Sequence, residues 1–334
     1  MPPTVPPTVP PTVPPTVPPT LPLTAAPTIG TELPCNVTPE ARAGLISVFI
    51  RAVSNPTDVD TPGTPQNLAA DWLINEDSLY VCPQDPFLLQ RYAMAVFYYS
   101  TRGDRWSECS APSNFTDPAS IELANESCTI AVPGTGMGAW LTPVSECDWA
   151  AVACDNSTAV IRIDFEQNGI AGTLPSELKE LSSLRFLLLE EGVLTGTIPS
   201  EIGLISTMEE IDLNFNLLQG SLPEELFGLT GLTQLDLNDN EFTGTISTRM
   251  GQLTNLNFFQ IENNSFSGTI PTEMGLLSLL AVATLDNNRL SGTMPAQVCA
   301  NVSGVLDVLT SDCQGAPNRP SPPLVICECC TGCF

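Results

Sequence analysis

Apolar and polar residues alternate in short runs that return every 24 residues through the middle of the chain. The stretch "IDLNFNLLQGSLP" begins at Ile211, "LDLNDNEFTGTIS" at Leu235 and "FQIENNSFSGTIP" at Phe259. Within each run the apolar residues are two positions apart, which is the period of a strand with one buried face. The pattern predicts a stack of similar structural units, each beginning with a short strand.

The repeating frame reads L-x-x-L-x-L-x-x-N-x-L-x-G-x-I-P and recurs six times between residues 159 and 298. The six copies begin at Val160, Leu184, Met208, Leu232, Leu256 and Leu280. Stacked L-x-L strands form a parallel sheet over a continuous apolar core, and the frame Asn satisfies backbone groups at the following turn. Gly192 replaces that Asn in the second copy, which predicts a looser or hydrated repeat there.

This frame resembles the leucine-rich repeat, and its L-x-G-x-I-P ending resembles the plant-type class. The segments "QNLAADWLINED", "QRYAMAVFYYSTRGDRW" and "CECCTGCF" are similar to extracellular leucine-rich-repeat proteins of diatoms, and more broadly to ectodomains of plant receptor-like proteins and receptor kinases. The resemblance implies an α/β-type solenoid with a parallel sheet on its concave face and a role in recognition outside the cell.

The ends of a solenoid need covers, and cysteines flank the repeats on both sides. "ECDWAAVAC" resembles the C-x-W-x-G-V-x-C cap that precedes plant-type repeats, which implies a disulfide between Cys147 and Cys154. After the repeats, we expect Cys299 and Cys313 to pair and close the last turn. The expected organisation is a cap over 35–158, repeats over 159–298 and a second cap over 299–334.

The outward residues of each L-x-L strand form three columns, which we call the concave face. The first column comprises Arg162, Phe186, Glu210, Gln234, Phe258 and Val282. The second comprises Asp164, Leu188, Asp212, Asp236, Gln260 and Thr284. The third comprises Glu166, Glu190, Asn214, Asn238, Glu262 and Asp286. Six strands about 4.8 Å apart would accommodate a short peptide or a few sugar units.

The third column contains only acids and amides, and stacked like charges repel one another. Such a column favours a cationic or hydroxyl-rich partner, and Phe186, Leu188 and Phe258 add apolar area for a peptide or a sugar ring. Two other interpretations stay open. In the first, the acids are only the solvated surface of an acidic protein. In the second, their carboxylates hold calcium.

The charge balance narrows the class of partner. The chain has 37 acidic and 11 basic residues, a formal charge of −26 and no histidine. This surface repels nucleic acids and anionic membranes, and the missing histidine removes the usual general base near neutral pH. Without a Ser, Cys or His catalytic arrangement, we expect no enzyme, no cofactor and no resident metal.

Twelve cysteines, six on each side of the repeats, favour the oxidising secretory pathway. Six N-x-[ST] sequons agree with this, although the opening "MPPTVPPTV" has no signal-peptide pattern and no apolar run is long enough to span a membrane. The predicted glycosylation sites are Asn36, Asn114, Asn125, Asn156, Asn263 and Asn301.

Local composition predicts the structure of three further segments. Residues 1–34 are tandem "PPTV" and predict a disordered or O-glycosylated stalk in polyproline II conformation. In 35–158 the spacing of apolar residues in "DPFLLQRYAMAVFYYSTRGDRW" predicts one helix, which Gly103 ends, whereas "NPTDVDTPGTPQN" predicts a loop. The tail "CECCTGCF" predicts disulfides, with a thiolate metal cluster as the other interpretation.

These observations predict a non-enzymatic cell-surface or extracellular protein that binds a peptide, protein or wall polysaccharide on its concave face, with a signalling co-receptor as a further partner. The rival interpretation is a structural or adhesive glycoprotein of the cell wall or matrix, in which the repeats act as a spacer.

Overall fold

The computed structural model describes residues 34–302, 304–313 and 325–334. Residues 1–33, which make up nearly all of the predicted stalk, lie outside the described residues. In the described part, no helix is long and apolar enough to cross a membrane.

The segment 35–158 contains five α-helices, so the prediction of a single helix there is wrong. The α-helices of the described chain are α1 Pro39–Val53, α2 Pro56–Asp60, α3 Pro65–Asp71, α4 Leu88–Ser100, α5 Pro118–Glu126 and α6 Ala296–Val302. Only α4 was predicted, and the stretch interpreted as a loop holds α2 and the start of α3. Four of the missed helices begin with proline at the first helical position, behind a side chain that caps the helix.

Short strands make up the rest of the regular structure. They are β1 Val152–Cys154, β2 Val160–Glu166, β3 Ala171–Gly172, β4 Phe186–Glu190, β5 Val193–Gly196, β6 Glu210–Asp212, β7 Leu217–Gly220, β8 Gln234–Asp236, β9 Glu241–Phe242, β10 Phe258–Gln260, β11 Ser267–Gly268, β12 Val282–Thr284, β13 Arg289–Leu290, β14 Gly292–Thr293, β15 Val308–Ser311, β16 Val325–Ile326 and β17 Gly332–Cys333.

The concave sheet has nine strands in the order β1-β2-β4-β6-β8-β10-β12-β15-β17. Strand β1 from the N-terminal cap pairs antiparallel with β2, and every later pair is parallel. The predicted solenoid with its concave parallel sheet is therefore confirmed. The sheet also continues past the six predicted repeats, because β15 and β17 of the C-terminal cap extend it.

Each of the first five repeats returns along the convex side through a 3₁₀ turn, and α6 takes this place in the sixth. These turns are Ser176–Glu180, Ser200–Leu204, Glu224–Gly228, Thr248–Gln252 and Thr272–Leu276. The frame leucines, isoleucines and phenylalanines between the two sides are almost fully buried and form one continuous core with the caps. Burial of this core, rather than any single contact, drives the stacking of the repeats.

The frame asparagines tie successive repeats together. The Asn240 side chain donates from Nδ2 to the carbonyl oxygens of Leu213 and Leu237, at 2.9 and 3.2 Å, and accepts from the Leu218 amide at 3.0 Å. Asn216, Asn264 and Asn288 make the same bonds one repeat earlier or later. One side chain therefore satisfies groups in two neighbouring turns of the solenoid.

Gly192 stands where the second repeat would carry this asparagine, and the space around it is occupied. A Cβ at this position would lie 2.7 Å from Asn216 Oδ1 and 2.8 Å from the Ile170 carbonyl oxygen. These two atoms occupy the space that a side chain at position 192 would need, so an asparagine fits there only if Asn216 or the backbone at Ile170 moves. The looseness that the sequence predicts for this repeat stays a prediction.

The N-terminal cap is organised around a buried arginine. Arg91 on α4 is 1% exposed, and its Nε and Nη2 donate to the two carboxylate oxygens of Asp77, both at 2.8 Å. Its Nη1 donates to Glu146 at 3.0 Å, and the rings of Trp72 and Trp149 lie 5.1 and 5.0 Å from the guanidinium carbon. The charge is buried but fully paired, which makes this network a strong constraint on the cap.

All twelve cysteines are paired, three disulfides in each cap. The N-terminal cap contains Cys35–Cys82, Cys109–Cys128 and the predicted Cys147–Cys154. The C-terminal cap contains Cys299–Cys329, Cys313–Cys333 and Cys327–Cys330.

The expected pairing of Cys299 with Cys313 is wrong. Cys299 lies on α6, which packs against the convex turn Thr272–Leu276 of the fifth repeat, whereas Cys313 follows β15 at the concave sheet. The two cysteines thus sit on different sides of the solenoid end. The tail folds back between them, and its strand β17 pairs with β15, which brings Cys333 to Cys313.

Candidate functional site

The concave face is built as the sequence predicts for its first two columns. Arg162 pairs with Phe186, Phe186 with Glu210, and Phe258 with Gln234 and Val282 across neighbouring strands. The second column is continuous in the same way, from Asp164 and Leu188 to Gln260 and Thr284. In the third column only Glu166 and Glu190 are paired within strands, because β6, β8, β10 and β12 end two residues before it.

Two acids at the centre of this face are far less exposed than an outward position suggests. Asp212 and Asp236 are direct partners on β6 and β8 and are 6% and 5% exposed. Neighbouring side chains cover them from both sides along the column. Asp212 accepts hydrogen bonds from the Asn214 amide at 3.2 Å and from Gln234 Nε2 at 3.1 Å, and Asp236 accepts from the Asn238 amide at 3.2 Å.

Burial and mutual repulsion disfavour the charged form of these acids. Loss of solvent raises the pKa of Asp212 to about 7, with a further contribution from Asp236. Burial likewise raises the pKa of Asp236 to about 6, opposed by the hydrogen bond from the Asn238 amide. Glu190 lies beside them, and burial together with Asp212 and Glu166 raises its pKa to about 7. We call Glu190, Asp212 and Asp236 the acidic patch.

Two amide oxygens beside the acidic patch lack a hydrogen-bond donor. The Oδ1 atoms of Asn214 and Asn238 are buried and have no partner in the structure. Buried acceptors without a donor are uncommon and cost free energy. Together with three carboxylates they make the centre of the face rich in acceptors and poor in donors.

The N-terminal end of the concave face has the opposite character. Phe186 is half-buried between the guanidinium groups of Arg162 and Arg185, at 4.6 and 5.1 Å from the ring centre. Arg162 pairs with Asp164, and Arg185 makes two hydrogen bonds to Glu209 at 2.7 and 2.8 Å. The Phe186 ring, which the sequence predicts to be an exposed anchor for a ligand, therefore packs mainly against side chains of the protein itself.

The C-terminal end is apolar and uncharged in its first column. Phe258 is 39% exposed and is flanked by Gln234 and Val282. Strand β15, which the six-repeat frame does not predict, adds a seventh row to the concave face, with Val308 beside Val282 and Thr310 beside Thr284. The sequence contains a signal for this strand, because Leu306, Leu309 and Ser311 follow the L-x-x-L-x-L spacing. Two extra residues precede this copy, so it falls outside the 24-residue period.

The outer acids of the third column are held by neighbouring hydroxyls and amides. Glu262 accepts from Asn238 Nδ2 at 3.1 Å and from the Thr284 hydroxyl, and Asp286 accepts from the Thr310 hydroxyl. Among the residues that the structure describes, no cluster of three or more acids or cysteines has an arrangement that could hold a metal ion. The calcium interpretation therefore gains no support from the geometry.

The predicted glycosylation sites differ in their surroundings. Five of the six asparagines are exposed, namely Asn36, Asn114, Asn125, Asn156 and Asn263. Asn301 is half-buried, and its Nδ2 donates to the carbonyl oxygen of Gly275 at 3.2 Å. The amide nitrogen that would carry a glycan is thus already used at Asn301.

The repeat geometry can now be set beside known proteins. A family model described as Leucine Rich Repeat matches residues 231–253, which is one full turn of the solenoid. This turn of the solenoid is a leucine-rich repeat. Five of the six copies end in the proline of the plant-type frame, and Ser247 replaces it in the fourth.

Several solved structures from plants resemble this leucine-rich-repeat protein. The plant peptide hormone receptor RGFR1, in complex with RGF2, is 33% identical over 44% of this chain and 24% of the receptor, with a TM-score of 0.42. A chain of the BIR3–SERK2 complex from Arabidopsis thaliana is 31% identical over 45% of this chain and 80% of its own length, with a TM-score of 0.41. A plant ice-binding protein is 27% identical over 58% and 60%, with a TM-score of 0.47. The chain thus spans about a quarter of the first receptor's length.

Proposed function

We propose that this leucine-rich-repeat protein is a non-enzymatic extracellular recognition protein whose concave face binds a basic peptide or a basic segment of another protein. The proposal rests mainly on the acidic patch and the two buried amide oxygens beside it. The carboxylates of the acidic patch are complemented by a group that only donates hydrogen bonds. The ammonium of Lys and the guanidinium of Arg are such groups.

The energetic argument follows from the raised pKa values. Near pH 7 the acidic patch is only partly ionised, because each carboxylate is disfavoured by burial and by its neighbours. A cation placed among these carboxylates would lower their pKa values and remove their mutual repulsion. Ligand binding then relieves a conflict that the free protein carries, which is a source of affinity beyond simple contact area.

The two ends of the concave face would add specificity. Phe258 and Val282 offer apolar area at one end, suited to a hydrophobic side chain of the same peptide. At the other end both guanidinium groups of the Arg162, Phe186 and Arg185 stack are already paired with Asp164 and Glu209, so the half-buried Phe186 ring offers only a small apolar contact. Because the strands form a packed sheet, little ordering of the protein would accompany binding.

An extracellular location is supported by the six disulfides, which persist in oxidising compartments. The leucine-rich-repeat fold is a scaffold for recognition, which supports a non-enzymatic role. A wall polysaccharide as ligand, or a purely structural role in a wall or matrix, predicts a different outcome of the experiment below.

The test is an array of basic peptides, acidic peptides and wall polysaccharides, probed with the full chain at physiological salt with and without calcium. The site variant combines Glu190→Gln, Asp212→Asn and Phe258→Ala. A matched control, Glu201→Gln, Glu225→Gln and Leu204→Ala, removes two acids and one exposed apolar side chain from the convex side.

Binding of basic peptides that the site variant loses and the control keeps would support the proposal. Binding of polysaccharides alone would replace its ligand class. No binding above background, or binding that the site variant retains, would contradict a concave recognition site and favour the structural role. Circular dichroism of all three proteins shows whether the fold is unchanged.

A further inference from the structure

The solenoid carries a second regular surface, away from the concave face, along the strands that follow the frame asparagine. The glycine of L-x-G-x-I-P lies at its centre in every repeat, with φ between 79° and 96°. On either side of this glycine the sequence places a small polar residue. We call these two columns the hydroxyl face.

Ten of its twelve positions are serine or threonine. The column before the glycine comprises Ala171, Thr195, Gln219, Thr243, Ser267 and Ser291. The column after it comprises Thr173, Thr197, Ser221, Thr245, Thr269 and Thr293. The second column is exposed throughout, and the first is exposed apart from the half-buried Ala171 and Ser267. In a chain with a formal charge of −26, neither column has a charged residue.

The hydroxyl face is held rigidly. In four repeats the threonine methyl packs over the glycine of the next repeat, as Thr197 Cγ2 does at Gly220 and Thr245 Cγ2 does at Gly268, where a Cβ would come within 2.8 and 2.9 Å. In the other column the Thr195 hydroxyl donates to the Gly172 carbonyl oxygen at 3.0 Å. Ser267 and Ser291 make the same kind of bond to Gly244 and Gly268, so packing and hydrogen bonds restrict the rotamers of both columns.

The spacing of the columns is also regular. Successive repeats place equivalent hydroxyls about 4.8 Å apart, and the two columns are separated by two residues of extended chain, roughly 6 to 7 Å. A surface that repeats the same groups in two directions is complementary to a partner that itself repeats in two directions. A crystal surface has this property, whereas a folded protein or a single peptide does not.

The chemistry of the face distinguishes among crystals. Ionic and mineral surfaces call for charged side chains, which the two columns lack. Crystalline polysaccharides are bound by flat aromatic rings that stack on sugars, and neither column has an aromatic residue. In ice every lattice site both donates and accepts hydrogen bonds, as a serine or threonine hydroxyl does.

We propose that the hydroxyl face binds ice. Fixed hydroxyls would hold ordered water at the lattice positions, and the threonine methyls would fill the spaces between them. This surface is separate from the acidic patch, so the proposal is independent of the concave ligand and can fail or succeed without it.

The test uses the full chain in two measurements: freezing-point hysteresis with observation of crystal shape, and partition into a slowly growing ice hemisphere. We expect faceted crystals, measurable hysteresis and enrichment in ice over an inert protein of similar size. Thr197→Lys with Thr245→Lys should abolish all three, because long charged side chains at the centre disrupt the lattice match. The convex control Glu201→Gln, Glu225→Gln and Leu204→Ala should retain them.

A second variant guards against loss of folding. Gln219→Lys changes an exposed residue that does not pack on the glycine column, and it should also reduce ice enrichment while the melting temperature stays unchanged. Round crystals without hysteresis, or enrichment that survives both lysine variants, would overturn the proposal. Binding of the same face to cellulose, chitin or silica in place of ice would overturn it as well.

Discussion

Asp212 and Asp236 lie directly opposite each other on neighbouring strands of the concave sheet, and both carboxylates are almost fully shielded from solvent. Two like charges so placed repel one another, and neither contacts a cation. The repulsion is offset by the backbone amides of Asn214 and Asn238 and by the side chains of Gln234 and Asn214. A pair arranged in this way is destabilising when ionised, and proteins retain such strain most often at functional sites.

This arrangement predicts that stability falls as the pH rises from about 4 to about 7. The folded-state pKa values of Asp212 and Asp236, about 7 and 6, lie above the unfolded value of 3.8, so the native state holds more protons in this range. The free energy of unfolding from urea titrations should be about 2 kcal/mol larger at pH 5 than at pH 7.5. Asp212→Asn should reduce this difference and stabilise the protein at pH 7.5.

The matched control for that prediction is Asp239→Asn, which removes the same charge from the adjacent turn. Asp239 has a φ of 50°, a conformation that asparagine adopts readily. We expect it to leave the pH dependence unchanged. If both variants alter the profile equally, the general charge of the chain sets it and the Asp212–Asp236 pair does not.

The buried arginine of the N-terminal cap predicts a large effect from a small change. Arg91→Lys keeps the charge but cannot make the two parallel hydrogen bonds to Asp77 together with the bond to Glu146. We expect a loss of about 3 kcal/mol or more in the free energy of unfolding. Arg105→Lys, at an exposed position, should have almost no effect in the same denaturant titration. Equal losses would contradict the role given to Arg91.

Gly192 provides a test in which the repeat frame and the structure disagree. The frame predicts that Gly192→Asn restores a missing hydrogen-bond ladder and stabilises the protein. The structure predicts a loss of about 1 to 2 kcal/mol, because the new Cβ would press on Asn216 and the Ile170 carbonyl. Gly228→Asn, where a Cβ meets no atom within 4 Å, serves as the control. A higher melting temperature for Gly192→Asn would show that the repeat frame is the better guide.

Glycan occupancy should follow the surroundings of each sequon. Glycopeptide mass spectrometry of the secreted full chain should find glycans at the exposed sites, for example Asn114 and Asn263. Asn301 should be unmodified, since its amide nitrogen bonds the Gly275 carbonyl and supports the last repeat. Full occupancy at Asn301 in a protein of unchanged melting temperature would contradict this.

Much of the solenoid could be predicted because its sequence repeats. The L-x-x-L-x-L frame placed every concave strand from β2 to β12, and the alternation of side chains placed the first two columns. The caps do not repeat, and four of their helices begin with a proline, a residue that more often indicates a loop. Pro39, Pro56, Pro65 and Pro118 each follow a capping Thr, Asn or Asp, which is a helix start, but in a proline-rich context it was interpreted as loop.

The details of the site could not be predicted from the frame. Alternation shows that Asp212 and Asp236 point outward, but their burial depends on the sizes of side chains one and two strands away. The contact between the Arg185 guanidinium and the Phe186 ring likewise depends on the conformation of a long side chain. The C-terminal disulfides depend on the path of the tail, which pairs β17 with β15, and spacing along the chain contains no such information.

The most direct test of the concave site is isothermal titration calorimetry with a pentalysine peptide at pH 6.5, in two buffers of different ionisation enthalpy. We predict binding accompanied by proton release, because lysine ammonium groups lower the pKa values of Glu190 and Asp212. The variant Glu190→Gln with Asp212→Asn should lose the proton release and most of the affinity, whereas Glu201→Gln with Glu225→Gln should keep both. Equal binding by the two variants, with no proton release from the unmodified protein, would contradict a cation-binding concave face.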